Sequence, residues 1–298
     1  MISSYLSIFL AGGFMAALGI VLAGVLAVAN RRLFVYEDPR IDEVEALLPK
    51  ANCGACGVPG CRPFAEALVA GEANPGACTV SPPDQSRIIA DFLGVQVSVQ
   101  EKRVARLACH GGTHVAATRA RYEGLKSCRA ASLVSGGGRG CVWGCLGLGD
   151  CEAVCDFEAI RMDRFGLPQV STDKCTACGD CVDICPKDLF EIHPVGHQLW
   201  IACKNMDDQD EAEAHCEVAC TACGRCEMDA PEGLIRMENN LAVIDYGKNA
   251  LASRLAIERC PTGAIVWFEK DRGPTKGAKA RRIVRQEPLP RMEPLPRA

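Results

Sequence analysis

Residues 175–186 read CTACGDCVDICP, with cysteines at 175, 178, 181 and 185 and Pro186 directly after the last. Three thiolates at two-residue gaps curl around one corner of an iron-sulfur cube, and the fourth, held by a proline turn, points to a different cube. A zinc site needs only two Cys-x-x-Cys knuckles and has no use for the third cysteine or the proline. The stretch therefore predicts a small two-cluster module, and the fourth thiolate requires a partner run elsewhere in the chain.

That partner lies upstream, at Cys141, Cys145, Cys151 and Cys155. Crossed ligation then gives one cluster on Cys141, Cys145, Cys151 and Cys185 and a second on Cys155, Cys175, Cys178 and Cys181. Downstream, Cys220, Cys223 and Cys226 repeat the triple, but Ala230 stands where a fourth cysteine belongs. Cys260 and Pro261 match Cys185 and Pro186, whereas the offsets that should supply the twin cluster fall on Ala250, Ser253 and Ala256. One site, Cys220, Cys223, Cys226 and Cys260, is complete, and all four ligands of its twin are missing together. The vacated loop, NALASRLAIER, is rich in helix formers with Leu251 and Leu255 one turn apart, which predicts a helix filling the space. A fourth constellation, Cys53, Cys56, Cys61 and Cys78, begins in NCGACGVPGC. Its spacing suits a cluster or zinc. The flanking IDEVEALLP and FAEALVAGE predict two short helices carrying the loop.

Composition agrees with metal centres standing in for hydrophobic core. Twenty of 298 residues are cysteine, only 5% are aromatic, and the net charge is −4. Bunched cysteines two to five residues apart are too close for most disulfide loops. The acidic body has no basic stripe, which excludes nucleic acid as a partner. From residue 5 to residue 29 no charged residue occurs, enough for a helix of about 37 Å. A cleaved signal peptide would want a basic start and a shorter apolar run. Arg31 and Arg32 follow the span and nothing basic precedes it, so the rest of the chain is expected in the cytoplasm. A reducing cytoplasm again favours metal ligation over disulfides.

An internal repeat organises the soluble part: CDFEAIRM at 155–162 and APEGLIRM at 230–237 are each followed by a strand-like stretch, LPQVS and NLAVID. VSGGGRG, ending at Gly140, reads as a flexible loop. The last 28 residues hold eight Lys or Arg against three acids and repeat EPLPR, the composition of a disordered tail. Cys109, Cys128, Cys203 and Cys216 lack neighbours at ligand spacing, Cys216 excepted, and read as plain thiols. Cys109, His110, His114 and Cys128 do not form a Rieske pattern. His193, His197 and His215 read as surface histidines. No G-x-G-x-x-G opens a helix after a strand, and no nucleophile sits beside a base, so no catalytic residue is assigned.

The anchor, NCGACGVPGC, GCVWGCLGLGDC with its cysteine run, and NNLAVIDY before a Cys-Pro site together resemble the B subunit of the Rnf electron-transport complex, in its long form with an additional ferredoxin module. The resemblance covers nearly the whole chain to about residue 270. It implies an α+β protein: one N-terminal transmembrane helix, a small helical [4Fe-4S] domain, and two bacterial-ferredoxin-like modules. It reads the N-terminal quartet as a [4Fe-4S] site, giving four [4Fe-4S] clusters in all. It further implies a single-pass protein of the bacterial inner (cytoplasmic) membrane, an electron-relay part of a translocase. Its partners would be other subunits of a membrane electron-transport complex and ferredoxin or a similar soluble donor. A membrane-tethered polyferredoxin adaptor without ion pumping is the alternative; a redox sensor would need a signalling or DNA-binding module, and none is visible. The expected organisation is an anchor at 1–30, the [4Fe-4S] domain at 31–95, a connecting segment at 96–135, the two-cluster module at 136–200, the one-cluster module at 201–270 and the basic Pro-rich tail at 271–298.

Overall fold

A computed structural model describes residues 2–33, 37–98, 100–269 and 273–292. The first element, α1 (Ile2–Leu33), is a continuous helix ending on Arg31 and Arg32. Its side chains Phe14, Leu18, Val21, Leu22 and Val25 are exposed on every face. A helix apolar all round needs a non-aqueous surrounding, and residues 12–33 are long and apolar enough to cross a membrane.

Three helices follow: α2 (Arg40–Leu47), α3 (Cys61–Val69) and α4 (Pro83–Leu93). Val44, Leu48, Phe64, Leu68 and Ile89 form their common core. Phe64 and Leu68 are one turn apart, so α3 presents one apolar face to its neighbours. The two helices expected around the cysteine loop are α2 and α3. The third starts at the Pro82-Pro83 pair, which sequence reading treats as a break: Pro83 occupies the first helical position, and Gly94 (φ +68) closes the other end.

Among the described residues the extended elements are nine short strands: β1 (Arg103–Leu107), β2 (Ile160–Met162), β3 (Pro168–Val170), β4 (Phe190–Pro194), β5 (Leu199–Ile201), β6 (Ile235–Glu238), β7 (Leu241–Ile244), β8 (Ile265–Glu269) and β9 (Gly273–Thr275). All pair antiparallel: β1 with β4, β2 with β3, β6 with β7, and β8 with both β5 and β9. The repeated sequence thus becomes two hairpins, β2–β3 and β6–β7, each accompanied by a second sheet. Asn239 (φ +47) and Asn240 (φ +61) form the two-residue turn between β6 and β7, the left-handed pair a tight hairpin demands and asparagine tolerates.

Two boundaries move relative to the sequence reading. Residues 96–135 are more than a connecting segment, because β1 completes the sheet of the first module. Leu199 and Trp200, expected in the first module, form β5 of the second together with Ile201. The glycine loop is also fixed in place: Arg119 and Ala120 donate backbone N–H groups to the Gly138 carbonyl. A Cβ at Gly138 (φ +76) would meet the Ala120 oxygen at 2.1 Å.

The tail is the largest correction. Its composition predicts disorder over 271–298, yet residues 273–292 pack on the body; Asp271, Arg272 and 293–298, with the second EPLPR, lie outside the described residues. Arg281 N–H donates to Pro261 O, Leu289 N–H to Thr113 O and Met292 N–H to Thr118 O. Ile283 packs against the core formed by Val115, Ala212, Cys216 and Val218. Arg285 bonds Glu217 at 3.0 Å and the His114 carbonyl at 2.6 Å. Backbone pairing and one apolar isoleucine contact override the compositional signal. Arg285→Ala should loosen this strap by about 1–2 kcal/mol, read as faster hydrogen exchange at Leu289 and Met292 with exchange in β6 and β7 unchanged.

In the vacated loop the structure has a 3-10 segment, Tyr246–Leu251, and one α-turn, Leu255–Glu258, in place of a single helix. Leu251 and Leu255 point outward, 51% and 68% exposed, while Ala256 and Ile257 are buried. Ala230 and Ala256, standing where two thiolates of a twin site would be, pack in the same apolar core as Leu234 and Ile257. Ile257→Ala should cost about 2–5 kcal/mol, whereas Leu255→Ala should stay within about 0.5 kcal/mol by chemical denaturation.

Candidate iron-sulfur sites

The two sequences TACG at 176–179 and 221–224 adopt matching strained loops. Ala177 (φ +60) and Ala222 (φ +51) sit in the left-handed region, followed by Gly179 (φ +101) and Gly224 (φ +69). Left-handed alanine is unfavourable, and its use at both equivalent positions curls each loop so that its cysteines converge. Cys175, Cys178 and Cys181 line one cavity together with Cys155 from the upstream run. Cys220, Cys223, Cys226 and Cys260 line another. Both groupings are those expected from crossed ligation.

Around the N-terminal loop, Cys56, Cys61 and Cys78 pack on the α2–α4 core, and burial, then the charges of Cys78 and Cys53, push the Cys56 thiol up. Asn52 fixes the loop: its side-chain oxygen accepts from Cys61 N–H at 2.8 Å. Arg62 beside it bonds Glu37, Asp42 and Glu45, tying α3 to the chain before it.

The expected quartet Cys141, Cys145, Cys151 and Cys185 is divided. Cys145, Cys151 and Cys185 line one cavity, and its fourth cysteine is Cys128. Ser127 Oγ donates to Asp150 Oδ2 at 2.9 Å, and Arg129 N–H donates to the same oxygen at 3.2 Å. Those bonds dock the turn Cys128–Ser132 onto the turn that carries Cys151. Cys141 instead lines a separate cavity with Cys109, Cys203 and Cys216, and Cys145 lies on the border between the two. Cys109, Cys128, Cys203 and Cys216, read from the sequence as plain thiols, line these two cavities with the others. Cysteines four apart occur at 141/145, 151/155, 181/185 and 216/220; the last three pairs each divide between two cavities, while Cys141 and Cys145 share one and Cys145 also reaches the next.

All twenty cysteines are free thiols. Among the described residues, three or more metal-ligating atoms gather within 4.8 Å of one another at Asp207, Glu211 and His215, and at none of the cysteine sets. Backbone N–H groups point at the sulfurs: Ala159 to Cys155 at 3.3 Å, Ala105 to Cys175 at 3.4 Å and Leu189 to Cys185 at 3.5 Å. Such donors stabilise thiolate charge and tune potential in iron-sulfur sites. Burial pushes the thiols of Cys151, Cys181 and Cys226 up to about 12. Metal-free, they stay protonated at neutral pH, and iron supplies the charge that makes them thiolates.

The histidines differ from expectation. His215 is buried, 6% exposed, with Nε2 2.6 Å from Arg119 Nη2. His193 is half-buried in a ring cluster with His197, Trp200 and Tyr246. That cluster joins β4 of the first module to the second.

An apolar membrane helix, a helical cysteine domain and two hairpin modules with crossed cysteine loops define a membrane-associated α+β iron-sulfur protein of the ferredoxin type. Comparison with known proteins agrees in detail. A family described as "Putative Fe-S cluster" matches residues 48–80, and a "4Fe-4S binding domain" matches residues 168–191. The chain is 39% identical over 253 residues to the B subunit of the "Na(+)-translocating ferredoxin:NAD(+) oxidoreductase complex" of Acetobacterium woodii, covering 85% of this chain and 76% of that one. It is 35% identical to the B subunit of the "Ion-translocating oxidoreductase complex" of Methanosarcina acetivorans, over 84% of this chain and 95% of that one. It is 38% identical to the B subunit of the "Proton-translocating ferredoxin:NAD(+) oxidoreductase complex" of Clostridium ljungdahlii, over 84% and 89%. The chain belongs to this family of B subunits of ion-translocating oxidoreductase complexes.

Proposed function

We propose that the chain relays electrons along a row of [4Fe-4S] clusters between reduced ferredoxin, or a similar soluble donor, and the other subunits of a membrane-bound ion-translocating complex of the Rnf type. Bound clusters supply one-electron storage without bond exchange or proton transfer. Four sets of residues would hold them: Cys53, Cys56, Cys61 and Cys78; Cys155, Cys175, Cys178 and Cys181; Cys128, Cys145, Cys151 and Cys185; and Cys220, Cys223, Cys226 and Cys260.

The observation that carries the reading is that neighbouring sets touch. Thr79, next to Cys78, donates to the carbonyl of Thr176, next to Cys175, at 2.7 Å. Cys181 and Cys151, from the next two sets, share one apolar core. The protein's part is to fix these sets in order, keep water from the sulfurs and aim N–H groups at them. Arg281 and Arg282, exposed on the strap, suit an acidic donor by charge. Arg31 and Arg32 in the last turn of α1 support a cytoplasmic location for everything that follows.

Tagged chain drawn from detergent-solubilised membranes should bring integral membrane subunits with it, and the membranes should oxidise reduced ferredoxin in a manner that requires the chain. Recovery of the chain alone, or with one soluble flavoenzyme, would establish the tethered adaptor instead. Protease added to inside-out vesicles should cut the soluble part, and protection there would reverse the assigned sidedness.

A further inference from the structure

We infer that Cys109, Cys141, Cys203 and Cys216 hold a fifth [4Fe-4S] cluster, at the junction of the two ferredoxin-like modules. It extends the relay reading and rests on its own observations. The four cysteines come from four separate stretches of chain, yet they line one cavity with about 430 Å³ of open space, beside about 360, 330 and 340 Å³ at three of the sets already described. Three of them, Cys109, Cys141 and Cys216, are less than 9% exposed. A Cβ placed on Gly111 would lie 3.2 Å from the Cys216 sulfur and 3.6 Å from the Cys109 sulfur, so the two sulfurs converge on ground that only glycine leaves free.

The donor pattern of the other sets recurs here. N–H groups of Gly111 and Cys145 point at the Cys109 sulfur, at 3.4 and 3.5 Å. Those of Asn205 and Cys220 point at the Cys203 sulfur, at 3.4 and 3.3 Å, and the Asn205 amide reaches the Cys141 sulfur at 3.5 Å.

A second, independent observation is Arg139. It lines the same cavity, is 8% exposed, and its Nη1 has no hydrogen-bond partner. A buried guanidinium with an unpaired N–H is costly. A cubane on four thiolates is an anion, and it supplies what this cation lacks. The rule of the pairs four apart completes the assignment. Cys216/220 divides between adjacent sites as Cys151/155 and Cys181/185 do; Cys145 also lines this cavity but is shared with the Cys128 set, and with Cys145 assigned there all twenty cysteines are used in five sets of four.

The location gives the site its purpose. Cys145, a ligand of the Cys128 set, donates its N–H to Cys109, and Cys220, a ligand of the last set, donates its N–H to Cys203. Cys109 and Cys203 would therefore hold the fifth cluster one backbone hydrogen bond from a cysteine of each neighbouring set, joining the two modules into one row. A cluster held by these four cysteines would supply one-electron exchange with its neighbours, one oxidised as the next is reduced.

Anaerobically purified full-length chain is expected to contain about 20 irons and as many acid-labile sulfides, with Mössbauer spectra assigning all of it to [4Fe-4S] clusters. Cys109→Ala and Cys216→Ala should each lower both counts by about four, and Cys128→Ala should do the same through the neighbouring site. The parent's own count decides the matter if a variant does not fold. About 16 irons in the parent, unchanged in the Cys109 and Cys216 variants, overturns the inference and leaves the relay reading standing. A parent chain without inorganic sulfide overturns both.

Discussion

Stripping iron from the full-length chain with a chelator should abolish the cooperative unfolding transition of residues 103–275 while leaving α1 helical. The strands of both modules are three to five residues long, and hairpins of that length are marginal without further packing. The packing they have is built around the sites themselves: Cys151 and Cys181 are core residues of the first module, and Cys226 of the second. Cluster assembly in such modules is folding free energy. Circular dichroism and limited proteolysis should show the loss together. A chelated chain that still unfolds cooperatively and resists protease would show that the apolar cores suffice alone.

Cys260→Ser should remove one cluster only, lowering iron by about four per chain and leaving the remaining clusters in place. Cys260 lines a single cavity, with Cys220, Cys223 and Cys226. On its other side Ala230, Ala256 and Ile257 fill the ground of the absent twin, so no second cluster depends on it. The module should lose stability and β6–β7 should exchange faster, but the first module, with its own sheets and core, should be unaffected. Iron analysis with Mössbauer spectroscopy reads the result; a loss of about eight irons would refute the partition.

Much of this was legible in spacing. The triples at 175–181 and 220–226, the crossed partner Cys155 and the late ligand Cys260 follow from local rules, and the structure brings each to the cavity those rules name. Helices α2 and α3 and both hairpins were visible in their apolar periods. The cavities that Cys128 and Cys141 line were not legible in spacing, because they are closed by contacts distant in sequence: Ser127 with Asp150, and Asn205 with Cys141. The splitting of cysteines four apart holds at 151/155, 181/185 and 216/220, whereas at 141/145 both members line one cavity and only Cys145 reaches the next. The strap escaped notice for a different reason. Composition reports how much apolar surface a segment brings, and residues 273–292 bring little, but Ile283 and a series of backbone bonds to 113–118 and Pro261 are enough when the docking surface is already folded. Leu251 and Leu255 misled because their one-turn spacing marks a shared face without saying which way it points.

The relay itself is tested most directly by anaerobic rapid mixing of the full-length chain with reduced ferredoxin, followed by iron-sulfur absorbance and by EPR of freeze-quenched samples. Oxidation of the ferredoxin should be matched by reduction of several [4Fe-4S] clusters in the chain, with interacting S = 1/2 signals as adjacent clusters of the row are filled. A chain whose clusters are reduced by dithionite, yet take no electrons from ferredoxin or any other low-potential soluble carrier, would contradict the account.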